Sequence, residues 1–471
     1  RISDLSICPT IALFVSPVSI AAQLRAIFPK CQVFAREVRK GDAFTKQVDT
    51  TDEATAIFLR HRRGDRATEA WTVEKRFYRA RLINPTYFGG GHALWDSFLC
   101  TYQPVFPSYS EPIMELCIAE DLTVFLNKGL TNLRAISYRN SPSLSPTSAE
   151  AFLKSQSITK LDTQYRKAKA GQLITSFCTA VNMRFGAMAR YIYKALRRSL
   201  PPEILLLNGL TQQNLADWFT THWDYAHDSS ENDFEAFDST QNEEFLTAQV
   251  ALMHALQLPV PLIQDYINWV THLSIFAGEL GIMIASGYKP TWLFNTFDNM
   301  CIAALSFGLT PHTSVLGDLP YHNPLPATRS VARAFSGDDS AHNEPVVPWP
   351  GFSDLPHKYR LVAKPSTNRY PHFCGVVSTP NGTFADPRLM VSRVLYRLRK
   401  GDLARCALSY AEHVTRLEDC YDDVHHHLSA EELACHTISY RVLRLHFRLH
   451  RIPFFGSFFL KAIAHFYHLH H

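Results

Sequence analysis

Phe335-Ser336-Gly337-Asp338-Asp339-Ser340 sets two adjacent acids behind a glycine, directly after the short apolar run Val331 to Phe335. A run of that length reads as a strand, and the glycine at its end as a tight turn that presents both carboxylates at the tip of a hairpin. Taken alone, a three-residue Gly-Asp-Asp match is an ordinary acidic turn. Upstream, Asn232-Asp233-Phe234-Glu235-Ala236-Phe237-Asp238 places two aspartates among aromatic residues, as a strand running into a turn does. Carboxylates buried together are costly unless a cation neutralises them. Asp233 and Asp338 on neighbouring strands would offer hard oxygen ligands to Mg²⁺, and two such ions roughly 3.5–4 Å apart suit phosphoryl transfer.

Between the two acidic stretches lies Ser286-Gly287-Tyr288-Lys289-Pro290-Thr291-Trp292-Leu293-Phe294-Asn295-Thr296. A Ser-Gly loop leads here into a helix, on which Thr291 and Asn295 fall at i and i+4 of one face. Both can hydrogen-bond a sugar hydroxyl or position Asp238. Read by itself, the same stretch is a helix entry with Thr291 near the cap and Pro290 beside it.

The composition sets the class. The chain has 471 residues, of which 46% are hydrophobic and 19% charged, as in ordinary globular proteins rather than disordered or fibrous ones. At roughly 150 residues per domain, about three domains are expected. A net charge of +4 excludes a histone-like tail and an acidic solvating protein. That small number conceals two blocks. Residues 151–200 carry Lys154, Lys160, Arg166, Lys167, Lys169, Arg184, Arg190, Lys194, Arg197 and Arg198 against the single acid Asp162, whereas residues 221–250 carry eight acids and no Lys or Arg. Either block alone reads as a solvated face; in succession they suggest a site with phosphate on one side and divalent metal on the other.

The ten cysteines stand at least fourteen residues apart, so there is no C-x-x-C pair, and scattered thiols fit a reducing compartment. Ser6 to Leu24 is uncharged, but Pro9, Pro17 and several polar residues interrupt it, which favours buried core over a membrane span. The chain opens on Arg1 without a signal peptide, as a piece of a longer polypeptide would. Ser137 to Ser148, rich in Ser and Pro, is the clearest linker. No G-x-x-x-x-G-K-[ST] loop is present, which leaves a P-loop ATPase unsupported. Helical spacing covers Phe245 to Leu256, Trp292 to Phe307 and most of the chain after Asp386.

The three elements in this order resemble motifs A, B and C of viral RNA-dependent RNA polymerases. Lys154-Ser155-Gln156, Lys169-Ala170-Gly171-Gln172 and Arg184-Phe185-Gly186 are similar to motif F of the alphavirus-like superfamily, in its flexivirus and tymovirus order. Lys364 sits where motif D carries its lysine, and Phe373-Cys374-Gly375 resembles motif E. His61, Asp65 and the basic run to Arg81 resemble the same replicases only loosely. The motif B loop departs from many relatives in reading Ser-Gly-Tyr-Lys-Pro.

The resemblance implies an α+β fold, a right-handed fingers-palm-thumb arrangement with an antiparallel-sheet palm and a helical thumb. Residues 1–148 would form an N-terminal extension and fingers, 149–220 fingers with motif F, 221–380 the palm with 251–290 partly fingers, and 381–471 the thumb. By the same resemblance Asp233 and Asp338 bind catalytic Mg²⁺, or Mn²⁺ in its place, with Asp339 assisting. Asp238 and Asn295, with Ser286 and Thr291, select the ribose, Gly287 belongs to the same nucleotide-binding set, Lys364 protonates the pyrophosphate, and Lys160, Lys169 and Arg184 steer the triphosphate. Lys154 and the stripe Arg441, Arg444 and Arg448 would contact RNA, a solvated helix face being the alternative for the stripe. Implied partners are template and product RNA, nucleoside triphosphates and other replicase domains of the same polyprotein, in the host cytoplasm on membrane-associated replication complexes. The aromatic stretch Phe454 to Leu469 is expected to dock on the protein rather than touch a membrane. His425 to His427 beside Asp422 and Asp423 are not expected to bind metal, since consecutive helical positions point in different directions. A reverse transcriptase, or a silent polymerase-like RNA-binding module, is the rival; Asp238 with Asn295 opposes the first and the intact acids oppose the second.

Overall fold

The computed structural model describes residues 60–61, 66–73, 76, 90–127, 145–154, 156–157, 171–275, 278–280, 282–284, 286–287, 289–306, 331–344, 359 and 361–450. The Ser6 to Leu24 stretch, Lys160, Lys169, the Phe454 to Leu469 stretch and most of the Ser137 to Ser148 linker lie outside them. Two compact units are present, one within residues 69–154 and 170–374, the other based on residues from Gly375 onward.

The first unit contains, in order, α1 (Gly90–Tyr102), α2 (Glu111–Leu126), β1 (Glu150–Leu153), β2 (Leu173–Ser176), α3 (Thr179–Ser199), β3 (Ile204–Leu206), α4 (Gln212–His222), β4 (Ser229–Asn232), α5 (Glu243–Ala255), α6 (Val260–Thr271), α7 (Thr291–Ser306), β5 (Arg333–Ser336), β6 (Asp339–His342) and β7 (Ser366–Asn368). On α3 the buried residues Val181, Phe185, Met188, Ile192 and Leu196 recur every three or four positions, and Arg197 and Arg198 close its last turn, where cations favour the helix dipole. Asn242 caps α5 by accepting from the Glu244 and Phe245 amides at 3.1 and 3.3 Å. α7 is buried on almost every face, with Leu293, Phe294, Phe297, Met300, Cys301 and Ile302 all inside, which marks a central helix rather than an amphipathic surface one. It packs on α1, α5 and β5. Phe98 meets Phe297 edge-on at 5.0 Å and Tyr102 meets Phe335 at 5.9 Å, contacts of about 0.5–1.5 kcal/mol each beyond burial.

Five strands form one sheet in the order β7-β4-β6-β5-β3. Neighbours are antiparallel except β3 and β5, where Leu205 pairs with Ala334 in parallel. β4 is buried although its sequence is Ser-Ser-Glu-Asn. Its acid is satisfied: Glu231 accepts from Asn368 Nδ2 at 2.8 Å, Ser366 Oγ at 3.2 Å and the His372 amide at 2.6 Å. Burial still raises its pKa above the ordinary carboxylate range.

The second unit contains the hairpin β8 (Val376–Thr379) and β9 (Gly382–Ala385) and the helices α8 (Pro387–Lys400), α9 (Ala407–Asp419) and α10 (Ala430–His450). Asp386 caps α8, accepting from the Arg388 amide at 2.8 Å, and Pro387 occupies the first turn, where no amide is missed. Met390, Val394, Leu403, Ala407, Val414 and Leu443 form its core. The boundary between Cys374 and Gly375 groups the β8–β9 hairpin with the late helices, whereas the motif resemblance drew the line after residue 380. His425 to His427 form a short 3-10 turn, with His425 stacked on Tyr421, rather than part of an α-helix. The mixture of helix with mostly antiparallel sheet agrees with the α+β class.

Candidate active site

The hairpin expected from the sequence is present. Gly337 takes φ +62° at the turn between β5 and β6, a left-handed conformation that glycine adopts without steric cost, and it delivers Asp338 and Asp339 to the tip. Asn232 pairs with Ser340, so continuing the antiparallel register by one residue sets Asp233 across from Asp339. Asp338 is pushed up to about 7, first by desolvation and then by the neighbouring charges of Asp339 and Asp233. Cys374 Sγ donates to Asp339 Oδ2 at 3.6 Å.

Residues 362–364 run alongside the acidic stretch. The Glu235 amide donates to the Val362 carbonyl and the Lys364 amide to the Asp233 carbonyl, each at 2.9 Å. This pairing brings Lys364 Nζ to 2.9 Å from Asp233 Oδ2. Ala236 takes φ +58° and turns the chain into the 3-10 turn Phe237–Thr240. Asp238 on that turn lies 3.4 Å from Arg76 Nη1. Burial nevertheless raises its pKa, outweighing the guanidinium and the backbone hydrogen bonds that lower it.

Helix α7 holds the hairpin tip from behind. Trp292 Nε1 donates to Ser336 Oγ at 3.1 Å, the Gly337 amide donates to Thr296 Oγ1 at 2.8 Å, and Asn299 Nδ2 donates to the Gly337 carbonyl at 3.1 Å. Thr291 and Asn295 both lie on this helix, as their spacing predicts, and Asn295 is buried with its side-chain oxygen lacking a hydrogen-bond partner among the described residues. Sequence reasoning missed Trp292, Thr296 and Asn299. The available signal was their spacing, one and two helical turns apart, with polar groups inside an otherwise apolar run.

The Ser286-Gly287 loop is fastened to β2. The Thr175 amide donates to the Ser286 carbonyl at 2.7 Å, and Gln172 Nε2 donates to Ser286 Oγ at 2.7 Å. Gly287 has φ +102°, and a Cβ there would fall 2.6 Å from the Thr175 carbonyl oxygen, so no other residue fits without moving the loop. Lys154 Nζ donates to the other side of this link, to Gln172 Oε1 at 3.0 Å. Lys289, at the unusual position of the loop, pairs with the buried Asp121 of α2, which Arg190 also approaches at 3.3 Å. The unusual lysine therefore serves as an anchor.

Arg184 pairs with Asp265 of α6, and both side chains are half exposed. On α10, Arg444 and Arg448 are exposed and Arg441 is partly buried, while Cys435, Ser439, Leu443 and His446 are among the buried positions. Arg444 stacks at 5.9 Å on Tyr440. Lys160 and Lys169 lie outside the described residues.

The acidic cluster suits a hard divalent cation in charge and donor type: Asp233, Asp338 and Asp339 meet at one end of the sheet's central strands, and desolvation, with the charges of Asp339 and Asp233, raises the pKa of Asp338. As they stand, no three His, Cys, Asp or Glu side chains among the described residues are close enough to hold an ion, and Asp233 is paired with the Lys364 ammonium.

A family model described as RNA dependent RNA polymerase matches residues 123–443. The chain is 30% identical over 396 residues to the RNA replication protein of Botrytis virus F, covering 83% of this chain and 20% of that protein. It is 29% identical over 421 residues to the RNA replication polyprotein of Apple stem pitting virus, covering 85% and 18%. Against the RNA replication protein of Potato virus X it is 28% identical over 425 residues, covering 87% and 28%. The chain thus spans about a fifth to somewhat over a quarter of the length of these relatives.

Proposed function

The chain belongs to the RNA-dependent RNA polymerase family, and from that premise we propose that it is the catalytic portion of a viral replicase, acting in the host cytoplasm. The reaction is template-directed. The 3′-hydroxyl of the growing RNA loses its proton and attacks the α-phosphate of a nucleoside triphosphate, a 3′-oxygen to phosphorus bond forms, and the bond to the β-phosphate breaks to release pyrophosphate. The observation that carries this reading is the convergence of Asp233, Asp338 and Asp339 at one end of the sheet's central strands with Lys364 beside them.

Asp233 and Asp338, assisted by Asp339, would hold Mg²⁺ or Mn²⁺. Bound there, the metal supplies positive charge to the attacking and leaving oxygens. Loading requires Asp233 to exchange its ammonium partner for the ion, which frees Lys364 to donate a proton to departing pyrophosphate. Asp238, with Ser286, Thr291 and Asn295, reads the ribose 2′-hydroxyl; the Asn295 oxygen, unpartnered among the described residues, supports this because a buried acceptor without a donor costs about 1–3 kcal/mol until one arrives. Lys160, Lys169 and Arg184 steer the triphosphate, for which Arg184 must give up Asp265, an exposed pair worth about 1 kcal/mol at most. Under this reading the sheet is the palm of a fingers-palm-thumb enzyme and the helices from α8 onward are the thumb. The greater length of the relatives supports further replicase domains as partners in one polyprotein; indirect association with membranes is part of the same reading.

Asp338→Asn tests the mechanism. On a primed RNA template with Mg²⁺, the variant is expected to lose nucleotide incorporation and to bind RNA almost as the parent does. Incorporation at the parent level would overturn the assignment.

A further inference from the structure

The turn that carries Asp338 is gripped on both of its peptide groups by one helix. Thr296 Oγ1 accepts from the Gly337 amide at 2.8 Å, and the same hydroxyl donates to the Trp292 carbonyl at 2.7 Å, so its single proton is committed and its lone pair is aimed at the turn. Asn299 Nδ2 donates to the Gly337 carbonyl at 3.1 Å. Thr296 and Asn299 are both fully buried, where a hydrogen bond is stronger than in water and a lost partner is costly. Trp292 Nε1 secures the preceding residue through Ser336 Oγ at 3.1 Å. The three side chains fall at i, i+4 and i+7, one stripe of α7. The ladder pair Ser336–Asp339 closes the turn, and the contacts from the helix add to it at Gly337, a residue type with little resistance of its own to rotation.

We propose that Thr296 and Asn299 are positioning residues that set the orientation of Asp338 toward the metal, with Trp292 in support. This rests on the reading of Asp338 as a metal ligand. The stripe adjoins the face of the same helix that carries Thr291 and Asn295, so α7 fixes the distance between the sugar-reading groups and the metal-binding carboxylate. Loss of the grip lets the turn sample orientations in which Asp338 points away, and the population that can bind metal falls accordingly.

The experiment measures Mn²⁺ binding to the nucleotide-free chain by the electron paramagnetic resonance signal of unbound Mn²⁺. Thr296→Val keeps the shape and removes the acceptor; about tenfold weaker binding is expected, the low end of what groups orienting a metal ligand contribute. Thr296→Ser keeps the hydroxyl and is expected to bind as the parent does. Trp292→Phe, which removes the indole N–H together with part of the ring at a partly exposed position, is expected to weaken binding at least about two- to tenfold, the range of the one net hydrogen bond lost. Lowered thermal stability with unchanged Mn²⁺ affinity in Thr296→Val and Trp292→Phe would overturn the positioning role, because a structural role alone predicts that result. Asp338→Asn separates the two claims. If it loses Mn²⁺ while Thr296→Val does not, the positioning alone fails; if it binds Mn²⁺ as the parent does, the metal reading fails and the positioning with it.

Discussion

Asp298 follows Phe297 into the core of the first unit and has no cation near it among the described residues. One carboxyl oxygen accepts from Gln249 Nε2 at 2.8 Å, the other has no hydrogen-bond partner among the described residues, and Tyr266 completes the chain by donating to Gln249 Oε1 at 3.0 Å. Burial holds the Asp298 carboxyl well above the ordinary carboxylate range. Tyr266 and Cys301, the other titratable groups beside it, are themselves raised and stay neutral. In the unfolded chain the carboxyl ionises near pH 4, whereas the folded protein keeps its proton, so stability falls as pH rises from about 4 toward the folded pKa, by at most about 1.4 kcal/mol per unit. Asp298→Asn keeps the acceptor for Gln249 and removes the titration. It is expected to unfold at higher urea than the parent near neutral pH and to flatten the stability profile above pH 4; parallel profiles would refute the claim. Nothing in the sequence marks this residue. Asp338 and Asp339 were legible because adjacent acids behind a glycine make a local pattern, but the burial of a single acid in a helix is decided by the elements packed around it.

The hairpin β5–β6 is fixed at both ends by different chemistry. At its tip the contacts come from α7; at its root Arg333, fully buried on β5, donates through Nε to Glu344 Oε1 at 2.9 Å and through Nη2 at 2.5 Å, with its guanidinium 6.0 Å from the centre of the Tyr102 ring. Two ions taken out of water are stable only as a pair. Arg333→Met alone is expected to cost about 3–5 kcal/mol by stranding Glu344, while Arg333→Met with Glu344→Leu should lie within about 1–2 kcal/mol of the parent. Urea unfolding of both variants checks this, and equal losses in the two would contradict it. At this scale the sequence was informative about element type: the run from Val331 became the strand Arg333–Ser336, and the helical spacing from Trp292 became Thr291–Ser306. It was silent on partners. Hydropathy places an arginine outside a core strand, and it identifies a helix without saying which neighbour each face meets, so Arg333, Thr296 and Asn299 emerged only from tertiary packing.

Over the whole molecule, the two charge blocks resolve into separate destinations. Of the eight acids in residues 221–250, Asp233 reaches the hairpin tip and Asp238 the turn beside Arg76; Glu231 is hydrogen-bonded inside the sheet and Asp228 lies 3.5 Å from Arg369. Cations of the basic block are similarly engaged. Arg190 and Lys194 meet Glu120 at 3.5 and 2.6 Å, with Arg190 also at Asp121, and Arg184 meets Asp265. Counting charge along the chain located the blocks, yet it overstated the cations free for phosphate, because pairing across elements is invisible in sequence order. The consequence is measurable in salt. Each phosphate contact on single-stranded RNA contributes about 0.7 to the slope of log affinity against log salt. Lys160→Ala and Lys169→Ala, at positions the motif resemblance assigns to triphosphate and not to structure, are each expected to lower that slope by about 0.7 if they also meet template phosphate. Arg190→Ala and Lys194→Ala are expected to leave the slope unchanged and to reduce stability instead, since their partners are carboxylates of α2. Titrations of RNA affinity across a KCl series decide the matter: an equal fall in slope for Arg190→Ala would show that its ion pairs open to let it grip RNA, and the division of the basic block into structural and phosphate-facing cations would be lost.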